Sequence, residues 1–431
     1  MNMRAKTSYP FGQKYVFVVV AAIFLALLAA AGLRATPGVL LLPWQKAFGW
    51  SAGTVSAAAA LGIFLYGLTG PFAAAAMQQF GLRRTVVAAI VLMALAAGIS
   101  VFMTAPWQLF LTWGVLSGLG SGVVANVLAA TIVNRWFKTH RGLIMGLLTA
   151  SMSTGTLIFL PGLAGLAAWG GWKPVVLTIA GCALALIPLI AFLVPESPAA
   201  IGLRRYGATE DEPAAPARAH NPFTVALGDL AMAARTRTFW FLFATFFICG
   251  FTTNGLVGTH LIAFCGDNGI AEVHAAGLLA MMGIFDIFGT TFSGWLTDRY
   301  DPRKLLFLYY GLRGLSLIYL PYSNFSFVSL SLFAAFYGLD WIATVPPTVR
   351  IANDKFGDKN ALIIFGWIVA GHQLCAASAA LLAGLIRTAQ GSYLEAFVIA
   401  GATGLAAAFL SLMIEKQKVA PQFAGALEAG E

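Results

Sequence analysis

Five ionisable side chains of this chain fall well inside long apolar runs: Arg34, Asp286, Arg313, Asp340 and His372. A charge at the centre of a bilayer costs about 2.5–3.5 kcal/mol on insertion scales, so each of these needs a partner or a task. Arginine stays protonated and can grip a carboxylate through two parallel hydrogen bonds. Arg34, three residues before Pro37, reads as an anion anchor, or else as a side chain snorkelling to the outer surface. Asp286 could carry a proton if burial favours its neutral form, or could simply neutralise a base. His372 titrates near neutral pH and could shuttle a proton or bind a carboxylate; a purely structural histidine is the competing reading. Arg313 and Asp340 lie at similar depth in adjacent runs and are expected to pair, with Asp286 as a rival partner. Tyr66, Asn126, Asn254 and Gln373 are neutral polar groups within the same runs.

The elements that must hold these residues follow from composition. Of 431 residues, 59% are hydrophobic and 10% charged, with mean hydropathy +0.82. A soluble protein of this size could not hide that much apolar surface. Twelve runs are long enough to span a membrane, at about 20 residues each. They cover 15–42, 52–76, 85–104, 107–133, 142–168, 173–194, 238–264, 273–297, 305–321, 325–349, 360–386 and 393–414. The first runs well past signal-peptide length and is read as a membrane span. The stretch 195–237 contains TEDEPAAPARA, whose proline, alanine and mixed charge suit a linker. It separates an N-terminal six-helix bundle, 1–194, from a second, 238–414, with a tail at 415–431.

The net charge of +9 resembles that of a nucleic-acid binder, but the bases cluster in short loops between spans, so no nucleic-acid partner is expected. With the N-terminus inside, the inner segments take all 26 bases except five: Lys46, Lys173 and Arg387 outside, Arg34 and Arg313 within spans. Both termini are therefore expected in the cytoplasm. The four cysteines lie in apolar runs without paired spacing, which points to neither disulfides nor a metal site. Small residues four apart, Gly114, Gly118 and Gly122 with Ala58 and Gly62, predict close helix packing. Pro346 and Pro347 interrupt span 10 and are expected to form a hinge there.

Residues 294–304, GWLTDRYDPRK, hold two acids and three bases between spans 8 and 9. Residues 77–84, MQQFGLRR, form a worn copy between spans 2 and 3, at an offset of 220. Loops 4–5 and 10–11 begin NRWF at Asn134 and NDKF at Asn353, at nearly the same offset. A parallel two-fold repeat of this kind places substrate near the bilayer midplane, between the halves. It maps Arg34 onto Asn254, a candidate hydrogen-bonding wall residue or a packing contact, and Tyr66 onto Asp286. The loop pattern G-x-L-x-D-R-x-x-x-R-K resembles the signature of the major facilitator superfamily. The resemblance implies an all-α membrane fold of twelve helices in two six-helix bundles, with Asp298, Arg299 and Arg303 as gating residues. Asp298 is then expected at the cytoplasmic surface, near the base of span 11.

Residues 136–155, WFKTHRGLIMGLLTASMSTG, resemble the monocarboxylate-transporter branch in the spacing of Phe137, Arg141, Leu143, Gly146, Ala150 and Gly155. That branch places a base late in helix 1, where Arg34 stands, and an acid and a base four apart in helix 8. Asp286 matches the acid, but Thr290 occupies the base position, and the entry to span 1 reads YPFGQKYVF. The glycine-proline motif that drug/proton antiporters carry in helix 5 is not seen. The resemblance implies a transporter for a small monocarboxylate-like anion, proton-coupled, working by alternating access as a monomer in a lipid bilayer, without a cofactor. Arg34, Tyr66, Asn254 and His372 are the substrate candidates, Asp286 and His372 the proton candidates, and Arg313 and Asp340 a structural pair. Anion exchange, uniport, and transport of a neutral or aromatic solute are the alternatives. A membrane enzyme is disfavoured because no nucleophile-base, metal or phosphate-loop pattern occurs, and a receptor because the linker and tails are short.

Overall fold

The computed structural model describes residues 12–208, 221–270 and 272–416. All named elements among them are helical. The chain begins with α1 (Tyr15–Phe48), ended by Gly49 at φ 68, whose N–H returns to the Gln45 carbonyl. Ser51 caps α2 (Ala52–Gln79) by accepting from the Thr54 N–H at 3.1 Å. α3 (Leu82–Ser100) follows Gly81.

The next run is segmented. α4 (Pro106–Leu109) passes through a π-helical stretch, Phe110–Leu116, into α5 (Ser117–Val123). The backbone then leaves the helix at Val124 and Ala125, the latter extended at φ −138 and ψ −166, before α6 (Asn126–Trp136). The glycine stripe works as close packing: a Cβ on Gly118 would meet the Gly62 carbonyl at 2.7 Å, and one on Gly122 the Tyr66 carbonyl at 2.7 Å. α7 (Arg141–Gly170) and α8 (Trp172–Leu193) complete the part before the linker.

The linker has structure at both ends. Tyr206 pairs with the α6–α7 loop, donating to the Trp136 carbonyl at 2.7 Å and accepting from Lys138 N–H at 2.9 Å. α9 (Pro222–Ala233), capped by Asn221, lies against α2, and Trp367 donates to its Ala226 carbonyl at 3.0 Å. α10 (Arg237–Gly250) runs through a second π-helical stretch, Phe251–Val257, into α11 (Gly258–Asp267). α12 (Glu272–Thr297) and α13 (Pro302–Tyr319) flank the charged loop, with Asp301 capping α13. α14 (Phe327–Asp340) breaks at a turn over 341–344 before α15 (Val345–Gln390), and α16 (Leu394–Leu412) ends the described chain.

Ten helical stretches among the described residues are long and apolar enough to cross a membrane. One of them, Phe327–Arg387, has 61 residues. Drawn out straight it would run roughly 90 Å, about three times the hydrocarbon core. It contains both the turn at 341–344 and Gly357, at φ 74 and ψ 155, a left-handed position that glycine occupies without strain. α13 falls outside the ten; it carries Arg303, Lys304 and the buried Arg313.

Candidate functional site

Arg34, on α1, is half-buried, and its Cζ lies 4.9 Å from the centre of the Tyr66 ring on α2. A guanidinium over an aromatic face is worth about 0.5–2 kcal/mol, but it leaves the N–H fork unspent. Among the described residues Arg34 has no hydrogen-bond or ion-pair partner. Tyr66 is 4% exposed and packs in a small cluster with Ala31, Ala125 and Met152. The tyrosine thus fixes the arginine, and the arginine's donors remain available.

Asn254 lies in the π-helical stretch between α10 and α11, with an exposed side chain. Such stretches widen the helix and expose backbone, and they recur at functional sites. His372, on α15, is 8% exposed, with its ring 5.0 Å from that of Phe246. Its ring nitrogens have no hydrogen-bond partner among the described residues. No direct bond joins Arg34 to Asn254, Asp286 or His372 among those residues.

Asp286 is fully buried where α12 crosses α7. Its carboxylate accepts from the Ser153 hydroxyl of α7, the Thr290 hydroxyl at 2.7 Å and the Ile342 N–H at 2.8 Å. Thr290, at the position where the monocarboxylate branch is expected to hold a base, supplies a neutral donor instead. Asp286 therefore ties α7, from before the linker, to α12 and the 341–344 turn beyond it. Ser153 was not among the sequence candidates; a lone serine in a small-residue stripe carries no signal of its own.

Arg313 and Asp340 meet in the interior. The guanidinium donates from Nε to the Asp340 carboxylate at 2.8 Å, and it also donates to the carbonyls of Asp340 and Trp341 and to Cys249 Sγ. Both side chains are nearly inaccessible, at 1% and 4%. Asp286 is not in the pair. The break between α14 and α15 is thereby satisfied: Arg313 takes two carbonyls, Ser293 donates to the Ala343 carbonyl at 2.6 Å, and Asp286 takes the Ile342 N–H.

At the loop end the two parts are laced together. Asp298 accepts from the N–H groups of Gly142 and Leu143, at 2.7 and 3.0 Å, so it caps the start of α7. Both partners are on α7, whose Arg141 in turn pairs with Asp358 near the base of span 11. The repeat counterpart of Asp298 reaches the same place: Gln78 donates to the Lys359 carbonyl at 2.8 Å. Asn134 and Asn353, 219 positions apart, exchange amide hydrogen bonds at 2.8 and 3.1 Å. Asp358 receives Arg141 at 3.0 Å and Arg205 of the linker at 3.4 Å. Arg299 stays on its own side, stacked on Trp295 at 4.0 Å, and Arg303 joins Asp301 to the Ile414 carbonyl.

Backbones are tight along this end: a Cβ on Gly142 would strike the Gly294 carbonyl, and one on Gly366 would meet Pro71 at 2.5 Å. Beyond Ser153–Asp286 the packing loosens at two positions. Gly283 faces open space one turn further, and Leu160 is 44% exposed. The crossing of α2 and α15 behaves alike, closed at Gly67 against Gln373 and exposed at Ile63. The tight crossings between the parts thus lie towards the loop end.

Comparison with known proteins agrees with this architecture. The chain matches the Major Facilitator Superfamily family model over residues 22–348 and 268–429. It is 28% identical to monocarboxylate transporter 13 of Rattus norvegicus over 413 residues, covering 93% of this chain and 89% of that protein. It is 25% identical to an uncharacterized MFS-type transporter, YcxA, of Bacillus subtilis, covering 80% of this chain and 82% of that one. Among solved structures, the proton:xylose symporter XylE superposes with TM-score 0.70 at 15% identity, covering 95% of this chain and 98% of that one. The human organic anion transporter MFSD10 superposes with TM-score 0.66 at 15% identity, covering 94% and 100%. With its helical architecture, its signature loop and this match, the chain belongs to the major facilitator superfamily, as a multi-pass membrane transporter that resembles the monocarboxylate-transporter branch.

Proposed function

We propose that this protein moves a small monocarboxylate-like anion across the cell membrane by alternating access, together with a proton. Residues 1–194 and 238–414 form two six-helix bundles joined by the linker 195–237, with twelve spans and both termini, including the tail 415–431, in the cytoplasm. Ten apolar stretches support that count, once Phe327–Arg387 is divided at Gly357 and α13 is added. The laced loop end is then cytoplasmic, and the described state opens outward.

The observation that carries the substrate reading is Arg34: a guanidinium on a membrane span, stacked on Tyr66, with its donors unpaired. An anion supplies the missing partner. Asn254 and His372 contribute from the symmetry-related wall. A proton offsets the anion's charge against an inside-negative potential worth about 2.3 kcal/mol per charge per 100 mV. Asp286, which accepts three hydrogen bonds at the α7–α12 crossing, and His372, whose ring nitrogens are unpartnered among the described residues, are the two candidates for the proton carrier.

Uptake of radiolabelled monocarboxylates into proteoliposomes, with and without an inward proton gradient, tests this. Gradient-driven uptake by the wild type, nearly abolished in Arg34→Gln and weakened in Arg34→Lys, is expected. If His372 carries the proton, His372→Ala should keep downhill uptake but lose its pH dependence. Loss of that dependence in Asp286→Asn instead would move the proton to Asp286. Full anion uptake by Arg34→Gln would remove the basis of the reading.

A further inference from the structure

The two parts each contain a broken helix at repeat-related positions, and the two breaks are finished differently. Between α14 and α15 the polar backbone is consumed by Arg313, Ser293 and Asp286, and the new helix starts with Pro346 and Pro347, which have no N–H to offer. Between α5 and α6 the residues at the matching positions are Asn126 and Val127. Their N–H groups meet no acceptor among the described residues, and the N-cap residue Ala125 has no side chain able to supply one. The Asn126 Oδ1 is buried and also without a partner.

An eleven-residue helix therefore begins inside a candidate membrane span with the N–H groups of its first two residues unpaired among the described residues. A second, independent feature lies beside it. Tyr66 is 4% exposed, shares a buried cluster with Ala125, and its hydroxyl makes no hydrogen bond among the described residues. Arg34 stacks on the same ring. Helix N-termini carry partial positive charge and oriented N–H groups, and discontinuous membrane helices use them to hold anionic groups.

We infer that the α6 N-terminus, through the N–H group of Asn126, forms the carboxylate subsite together with Arg34 and the Tyr66 hydroxyl. The anion is thus held by the N-terminal part, and the sealed α14–α15 break contributes no donor to it. This inference rests on the anion reading above and assigns the carboxylate a position within it.

The test uses purified protein and three acid–amide probe pairs: pyruvate and pyruvamide, lactate and lactamide, benzoate and benzamide. Binding is read by calorimetry. Asn126→Pro removes one N–H at the first helical position, where proline fits, after a residue already extended. Asn126→Ala removes only the side chain. The wild type should bind at least one acid and not its amide. Asn126→Pro should raise the Kd for that acid about tenfold, Asn126→Ala less than about twofold, and Tyr66→Phe severalfold, as expected for hydrogen bonds to a charged group. Wild-type affinity in Asn126→Pro, or equal losses in Asn126→Pro and Asn126→Ala, overturns the helix-end subsite while the Arg34→Gln result still judges the anion reading alone. If Asn126→Pro does not fold, Tyr66→Phe decides, and an unchanged Kd there overturns the subsite. A wild type that binds none of the acids overturns both readings.

Discussion

Arg34 and Arg313 are the same residue type, one half-buried and the other 1% exposed, and their surroundings give them opposite expected phenotypes. Arg313 has a carboxylate, two carbonyls and a thiol as partners. Removing it leaves Asp340 as an unpaired buried charge, so Arg313→Ala should lose about 3–5 kcal/mol and appear as a large drop in melting temperature in detergent. Arg34→Ala forfeits one cation–π contact, about 0.5–2 kcal/mol, and should melt near the wild type while losing anion binding. Normal melting of Arg313→Ala with lost anion affinity would reassign Arg313 to the substrate. In the loop, the hydrogen-bonding Arg303 guanidinium holds the Asp301 carboxyl below the usual carboxylate range. A depressed native pKa adds stability above the unfolded value that is lost as pH falls through the native one. The melting difference between wild type and Asp301→Asn should therefore be constant near neutrality and vanish in strong acid; a gap that persists there would contradict the pairing.

At the scale of elements, Asp298 acts as a helix cap supplied from the other side of the molecule. Its two hydrogen bonds satisfy the first N–H groups of α7, whose preceding residue, His140, is left-handed and gives no cap. Losing a cap costs about 0.5–2 kcal/mol. Here the cost falls on the closed loop end, because the cap exists only while α12 and α7 touch. Asp298→Ala should shift the closed population by roughly two- to thirtyfold, whereas Asp298→Asn, an equally good cap by residue type, should be milder. Labelling rates of a single cysteine placed at the loop end would show this, and equal rates in all three proteins would count against the cap as a latch.

Taken as a whole, the molecule is joined at one end by cross-contacts among the described residues that include Asp298 to α7, Gln78 to Lys359, Asn134 to Asn353, and Arg141 with Arg205 to Asp358. Alternating access requires all of them to part in each cycle. A short bismaleimide joining cysteines introduced at Asn134 and Asn353, in a background lacking the four native cysteines, should stop transport when complete and restore it when the linker is cleaved. Transport that continues through a complete cross-link would exclude rocking about this end.

Apolar run length made the helical membrane architecture legible from sequence alone, because lipid imposes length and satisfied backbone on any span. The 220-residue offset was equally legible, and with it the relation of Asp298 to Gln78 and of Asn134 to Asn353. The candidates Arg34, Tyr66, Asp286, Arg313, Asp340 and His372 were also visible, since a polar residue inside an apolar run stands out by composition. Their partners were not. That Asp298 caps α7, that Asp286 is consumed by Ser153, Thr290 and Ile342, and that Arg34 keeps its donors free all depend on which helix faces which. Periodicity assigns a residue to a span; only tertiary packing decides whether its hydrogen bonds are spent inside the protein or left for a ligand.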